Sequence, residues 1–280
     1  MNTETEPGMK AGVVGCCGRL GRLVVAELLR PSAGPLTLAA CATSPGSAWI
    51  GRDAGDLVGS PATGVRITAD AHALCEASEV VIDFSAPSAT ALYAGHAARA
   101  GVTFITGTTG LDAAQQQAVA QAALHIAVVQ APHMSVGANL LMAITAQLAA
   151  VLDERYDVEI LGKTHRNKAD TPSGTTLALA RAAAKARGVD ADSAIVHDGP
   201  RSDGPRKRGT IGVTTMRAGE AFSEHVVLFA GRSERLELSH TVLSYDICAQ
   251  GALRAGVWAR GRPAGLYSMS DVLETRNNQP

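Results

Sequence analysis

Apolar residues between Ala11 and Pro132 fall in short unbroken runs: Ala11–Val14, Leu36–Thr43, Val80–Ser85, Val102–Thr109 and Ile126–Pro132. Between them lie segments whose apolar positions recur at helical spacing, among them Arg22–Arg30, Ala89–Gly101 and Asp112–Ala123. A strand reads as an unbroken apolar run when both faces of its sheet are covered. Strands alternating with helices then predict a parallel sheet with helices on both sides. Asp112, with Gln115 three residues on, has capping-box spacing at the start of its helix.

The pattern changes after Met134. Asn139–Leu152 reads as one helix, Asp157–His165 as a strand, and a further helix runs from near Thr175 to Gly188. A charged glycine-rich loop, Ser202–Thr210, precedes three β-like runs, Ile211–Gly219, Glu224–Gly231 and Arg235–Ser244. Short strands joined by tight turns predict an antiparallel or mixed sheet. Gly251–Gly261 closes the pattern as a helix with Gly261 as C-cap. The fold class expected is α/β, a Rossmann-type doubly wound parallel sheet with an inserted α+β domain. Residues 10–133 and 246–280 are expected to form the doubly wound domain, and 134–245 the inserted α+β domain.

Composition narrows the setting. At 280 residues there is ample material for two cores, and a formal net charge of −1 gives no footprint for nucleic acid. No run reaches the roughly 20 apolar residues of a membrane span, and the polar opening MNTETEPGMK reads as a disordered lead-in without a signal peptide. The cysteines, Cys16, Cys17, Cys41, Cys75 and Cys248, are odd in number and form no C-x-x-C pair. They read as reduced thiols of a cytoplasmic protein. His72, His96, His125, His197 and His225 lack metal-ligand spacing and are given no role, and no metal is expected.

Candidate chemistry begins at Gly15-x-x-Gly18-x-x-Gly21, directly after the first strand and at a helix start. Glycines there permit a tight turn and bring backbone N–H groups close to a pyrophosphate at the positive end of the helix. The spacing differs from the usual G-x-G-x-x-G, so the signal rests on its strand–loop–helix context. The second strand ends Ala42-Thr43-Ser44-Pro45, without the acid that bonds the adenine ribose of NAD. That favours NADPH over NADH, with Arg19 or Arg52 available to pair a 2′-phosphate.

Phe104–Gly110 (FITGTTG) and Lys168–Thr176 (KADTPSGTT), with the glycine loop, carry a family resemblance. The chain resembles the dihydrodipicolinate reductase (4-hydroxy-tetrahydrodipicolinate reductase) family nearly end to end, through GRDAGDL, VIDFS, GTTGLD, SVGANLL, RAGEAFSEH, ERLELSH and SMSDVL as well. The resemblance implies hydride transfer from NADPH or NADH to a cyclic imine dicarboxylate in lysine (diaminopimelate) biosynthesis, by a homotetramer. It implies that Gly15, Gly18 and Gly21, with Arg19 and Leu20 between them, line the pyrophosphate. Thr43 lies on the nucleoside side, and Gly107, Thr108 and Thr109 border the nicotinamide. Ser173, Gly174 and Thr175 hold a substrate carboxylate, and Lys168 is a catalytic or anchoring cation.

Three departures from the family pattern concern the substrate side. Thr164 stands where the family places the first histidine of a pair, its proposed proton donor. His133 and Met134 occupy the segment expected at the nicotinamide, and Tyr245 takes the place of an arginine. Hydride addition leaves negative charge that an acid must quench, and a threonine hydroxyl is a poor acid. His165, Lys163, His133 and Lys168 are the candidates. On a strand Lys163 and His165 share one face and Thr164 takes the other.

Plainer readings stand beside these. His165 can simply hold the loop, Asp170 can fix the turn before Pro172, and Ser173 can be an ordinary N-cap, using the same N–H groups as an anion site. Gly204–Gly209 (GPRKRG) is either a solvated loop or a lid that gathers an anion. Three functions remain in play. They are the lysine-pathway reductase, a paralogue reducing a different imine or carbonyl, and a dinucleotide-binding protein without turnover.

Overall fold

The computed structural model describes residues 8–31, 34–168, 171–197, 205–220 and 223–274. Two units divide the chain: Met1–Val136 with Tyr245–Pro280, and Gly137–Ser244.

In the first unit β1 (Met9–Val14) runs into α1 (Arg19–Leu28), followed by β2 (Leu36–Ala42), β3 (Ile67–Thr68), α2 (Ala71–Glu76) and β4 (Val80–Asp83). Next come α3 (Pro87–Ala100), β5 (Thr103–Thr106), α4 (Ala113–Ala122) and β6 (Ala127–Gln130). Seven parallel strands, completed by a late strand at Gly265–Tyr267, form one sheet with β1 between β4 and β2. The strand order reverses at β1, and open α/β sheets bind ligands outside the carboxyl ends of the strands at such a point.

Alternate residues of these strands feed two cores. Val13, Ile82, Ile105 and Val129 pack with Val24, Val25, Ala249 and Ala252 on one face. Val14, Val81, Phe104 and Val128 pack with Leu74, Tyr93, Ala97 and Val119 on the other. Ala249 and Ala252 lie in the helix Asp246–Ala259, so that helix belongs to the first unit's core. Covering both faces is what erased polar alternation from the strands.

The second unit contains α5 (Val136–Val151, whose first residue ends the first unit's main segment), β7 (Asp157–Thr164), α6 (Gly174–Ala186) and α7 (Ala191–Ala194). β8 (Ile195–His197), β9 (Ile211–Arg217), β10 (Ser223–Ala230) and β11 (Arg235–Val242) follow. The chain then returns through α8 (Asp246–Ala259), β12 (Gly265–Tyr267) and α9 (Met269–Leu273). The five strands order as β11-β10-β7-β9-β8; β10 is antiparallel to β7 and β11, while β9 is parallel to β7 and β8. The sheet is therefore mixed. Helices α5 and α6 cover one face, packing Leu141, Ala149, Leu179 and Ala183 on Val158, Ile160, Val227 and Phe229.

Arg187, just after α6, pins the loop between α5 and β7: its Nη2 donates to the carbonyls of Leu152, Asp153 and Tyr156 at 3.1, 3.0 and 2.8 Å. Burial pushes the guanidinium below its ordinary pKa. Arg187→Ala leaves these carbonyls without their donor and is expected to cost at least about 2 kcal/mol, measured by denaturant unfolding.

Element ends moved where loops begin. Val102–Thr109 was expected as one strand, but β5 stops at Thr106, because Thr106 and Thr108 turn their hydroxyls onto Asp83. Helix α1 starts at Arg19, a turn earlier than its apolar pattern, with Gly18 as N-cap. The capping box at Asp112 and Gln115 forms as expected.

Candidate active site

The glycine loop closes on itself. Gly15 sits at φ 75, in the left-handed region that favours glycine. The N–H groups of Gly15 and Cys16 both donate to the Ala42 carbonyl, at 2.9 and 3.1 Å, and Gly18 N–H donates to Gly15 O at 2.9 Å. A Cβ on Gly21 would lie 2.1 Å from Gly15 O, so α1 leaves the loop at a separation only glycine permits. Gly18 caps α1 with no side-chain bond, and the first turn carries no acid. The first N–H groups of a helix have no intrahelical acceptor, and here they stand at its positive end, uncapped. That cradle fits a dinucleotide pyrophosphate. Gly18 and Arg19 are exposed, Leu20 packs on the core, and Thr43 is half-buried just beyond β2.

The GTTG loop follows β5 on the same sheet edge. Gly107 N–H donates to Asp83 O at 3.0 Å, and a Cβ on Gly107 would meet the Phe84 ring at 2.2 Å. Thr108 is buried, while Thr109 and Gly110 are exposed. Next along the edge, half-buried His133 accepts at Nδ1 from Ser135 N–H (3.1 Å). Met134 is only 1% exposed and lies in the core, so its side chain is no surface for a ligand.

In the second unit β7 alternates strictly. Val158, Ile160, Gly162 and Thr164 are buried; Glu159, Leu161 and Lys163 are half-buried on the other face. Thr164, 4% exposed, therefore faces the α6 side. Lys163 faces away, its Nζ bonded to Glu224 at 2.7 Å, which commits it to an ion pair. Beyond the strand His165 O accepts from Lys168 N–H at 3.2 Å, and Lys168 O accepts from Arg217 at 3.1 Å. His165 and Lys168 are thus half-buried on one pinned turn. Ser173 caps α6, its Oγ accepting from Thr176 N–H at 3.1 Å. That leaves the first N–H groups, at Gly174 and Thr175, pointing out of the helix end.

His225, given no role from the sequence, is 2% exposed, with Nε2 3.4 Å from Ser173 Oγ. It pairs with Gly162 on one side and His240 on the other. Alternation along Glu224–Gly231 placed it on the buried face, but nothing local shows which cap it reaches.

Other sequence candidates have found partners. Arg52 stacks over Trp49 at 4.3 Å and pairs with Asp56 at 3.5 Å. Arg19 lies over the Tyr245 ring at 5.0 Å, so Tyr245 stands beside the glycine loop as N-cap of α8. Arg206 is not a solvated cation: it bonds Glu159, Asp157 and the carbonyls of Val158 and Thr210. Gly204, at the start of that basic loop, and Asp170 lie outside the described residues. A hydrogen bond with Cys41, then burial, pushes the Cys16 thiol far up, and burial raises Cys17. Thiolate chemistry in the loop is thereby disfavoured. Asp53 accepts from Thr63 and Gly55 N–H, which hold its carboxyl down at about 2 and fix the loop after Trp49. Among the described residues no His, Cys, Asp and Glu group can hold a metal, and no helix is long and apolar enough to cross a membrane.

Comparison with known proteins agrees with these two sets of motifs. A family model described as the N-terminus of dihydrodipicolinate reductase matches residues 9–134, and its C-terminal counterpart matches residues 137–273. The chain is 42% identical to the 4-hydroxy-tetrahydrodipicolinate reductase of Cereibacter sphaeroides over 261 residues, 93% of this chain and 96% of the relative. It is 43% identical to the enzyme of that name from Thiobacillus denitrificans over 265 residues, 95% of this chain and 98% of the relative. The fold is shared with a dipicolinate-bound dihydrodipicolinate reductase from Paenisporosarcina sp. TG-14, at TM-score 0.75, 20% identity, and coverage of 95% of this chain and 100% of that one. With both family models matched in sequence over nearly its full length, the chain belongs to the dihydrodipicolinate reductases, a family of nicotinamide-dinucleotide-dependent oxidoreductases.

Proposed function

We propose that the chain reduces 4-hydroxy-tetrahydrodipicolinate, a cyclic imine dicarboxylate, to tetrahydrodipicolinate in lysine biosynthesis, the 4-hydroxyl leaving as water, with NADPH, as a cytoplasmic homotetramer. The observation that carries this reading is the Ser173-capped start of α6, six residues after Lys168 on a pinned turn. A helix N-terminus with a nearby cation suits a carboxylate, and the relatives' named substrate is a dicarboxylate.

The dinucleotide, when bound, supplies the hydride. Gly15, Gly18, Arg19, Leu20 and Gly21 hold its pyrophosphate, Thr43 lines the nucleoside side, and Gly107, Thr108, Thr109 and His133, with the Met134 backbone, border the nicotinamide. The lack of an acid in Ala42-Thr43-Ser44-Pro45 supports the 2′-phosphate form. With Arg52 engaged by Asp56, Arg19 is the cation for that phosphate, steadied by Tyr245. Ser173, Gly174 and Thr175 hold a substrate carboxylate. Lys168 anchors the substrate and supplies the proton, with His165 beside it on the same turn. Thr164 is a floor for the ring, since its buried hydroxyl is too weak an acid. The sheet face turned away from α5 and α6, with Leu161, Val226 and Leu228 half-buried on it, supports pairing between copies.

Supplying freshly generated 4-hydroxy-tetrahydrodipicolinate is expected to consume NADPH faster than NADH. Binding of NADPH without consumption would remove the proposed reaction. One observation favours a second reading, a paralogue acting on a different imine or carbonyl: Thr164 replaces the expected acid, and it is buried. Turnover of another cyclic imine in place of the dicarboxylate would select that reading.

Ser173→Ala is expected to raise KM for the dicarboxylate several-fold and to lower stability by about 1 kcal/mol, the usual worth of an N-cap. Kinetics with a parallel melt checks both.

A further inference from the structure

Asp83, the last residue of β4, is fully buried at 0% exposure. Its carboxylate accepts from Ser85 N–H (3.1 Å) and Ser85 Oγ, and from the hydroxyls of Thr90 (2.6 Å), Thr106 (2.8 Å) and Thr108 (3.0 Å). All these partners can donate, as an acceptor-only carboxylate requires. None of them carries a charge, and among the described residues no lysine or arginine forms an ion pair with Asp83. Buried charges are ordinarily matched by an opposite charge or a metal. Here hydroxyl dipoles satisfy the oxygens and leave the net charge in place.

The position of this charge is specific. Thr106 and Thr108 flank Gly107, whose own N–H is bonded to the Asp83 carbonyl. Thr108 is itself a member of the loop assigned above to the nicotinamide, so the anion lies one side chain behind that loop. Thr90 ties the same carboxylate to α3. A charge held off water acts further and more strongly than one at the surface.

We propose that Asp83 is a positioning residue of the hydride-transfer site, whose buried negative charge favours the oxidised, cationic nicotinamide over the neutral reduced ring. This rests on the reading of Gly107–Thr109 as the nicotinamide border. Loss of a hydride, one proton with two electrons, leaves the donor ring with a positive charge, and the substrate carbon receives the pair. A fixed anion behind the loop makes the bound reduced dinucleotide a stronger hydride donor. If the carboxylate serves only to tie the threonines together, its loss affects the binding of both redox forms alike.

The test is the ratio of dissociation constants for oxidised and reduced dinucleotide, by calorimetry on wild-type protein, Asp83→Asn and Thr90→Val. In D83N the ratio Kd(oxidised)/Kd(reduced) is expected to rise about tenfold, the scale of one charge acting across a packed site. Thr90→Val loosens the carboxylate but keeps its charge; both constants shift together and the ratio stays within about twofold. Folded D83N with an unchanged ratio overturns the proposal alone. Wild-type protein that binds neither form overturns the nicotinamide reading, and the proposal with it. If D83N does not fold, Asp83→Ser carries the same comparison. Failure of both neutral variants to fold assigns the carboxylate to folding and overturns the proposal.

Discussion

Gly21→Ala is expected to abolish dinucleotide binding, raising Kd at least about a hundredfold, and to destabilise the first unit by about 1–3 kcal/mol, the usual cost of overpacking. The new methyl would stand 2.1 Å from Gly15 O, 2.7 Å from Gly15 C and 2.8 Å from Cys16 Cα. All three are backbone atoms, so no side chain can swing aside. Gly15 cannot yield either: its φ of 75 and its two-residue anchor on the Ala42 carbonyl fix it, and it already lies against the Phe84 carbonyl. The only relief is to move α1 off the loop, which carries away the N–H groups that would meet the pyrophosphate. Gly18→Ala is the contrast. Its Cβ would have one close neighbour, Gly15 O at 3.2 Å, in an exposed position. A milder loss of affinity is expected there. Titration calorimetry on both variants, with melts, separates the two effects; wild-type affinity in folded G21A would remove the glycine loop from the site.

Much of this was legible in the chain itself. The runs at Val80–Ser85 and Ile126–Pro132 announced a sheet covered on both faces, because burial on two sides removes the polar alternation a one-sided strand would keep. The glycine triplet and Ser173 were legible for a related reason: tight backbone turns and helix caps are local, and their residue types are written at the turn. Lateral contacts were not. Lys163 was a candidate acid until the register of β7 on β10 set it opposite Glu224. Met134 was expected beside the nicotinamide, but its side chain packs with the first unit's core. Arg206 stood in a loop that read as either solvated or a lid, because its partners Asp157 and Glu159 lie some fifty positions earlier in the chain. Asp83 and His225 were missed for the same reason. Each stands in an apolar strand, where a polar residue is silent until the threonines or the cap it serves are brought beside it.

Lys168→Ala is expected to lower kcat at least about a hundredfold, the usual scale for a lost acid–base group, with stability within about 0.5 kcal/mol of wild type. The second half of that expectation follows from how the turn is held. Four bonds hold it through its own backbone: Lys168 N–H to His165 O, Arg166 N–H to Gly219 O, Ala218 N–H to Thr164 O, and the Arg217 side chain to Lys168 O. None of these four bonds uses the Lys168 ammonium, and a melt of K168A run beside the kinetics separates loss of fold from loss of chemistry. Lys168→Arg then divides anchoring from proton transfer. A guanidinium keeps the positive charge but does not give up a proton in the working pH range. If Lys168 only anchors the substrate, K168R recovers much of KM and kcat. If it is the proton source, K168R recovers KM while kcat stays low. His165→Ala supplies the remaining comparison: a fall in kcat equal to that of K168A would divide the proton-transfer role between the two residues of the turn. An unchanged rate in K168A would exclude Lys168 from the mechanism. The acid would then have to be sought at His165 or His133, since Lys163 is held by Glu224 and Thr164 is buried against the α6 side.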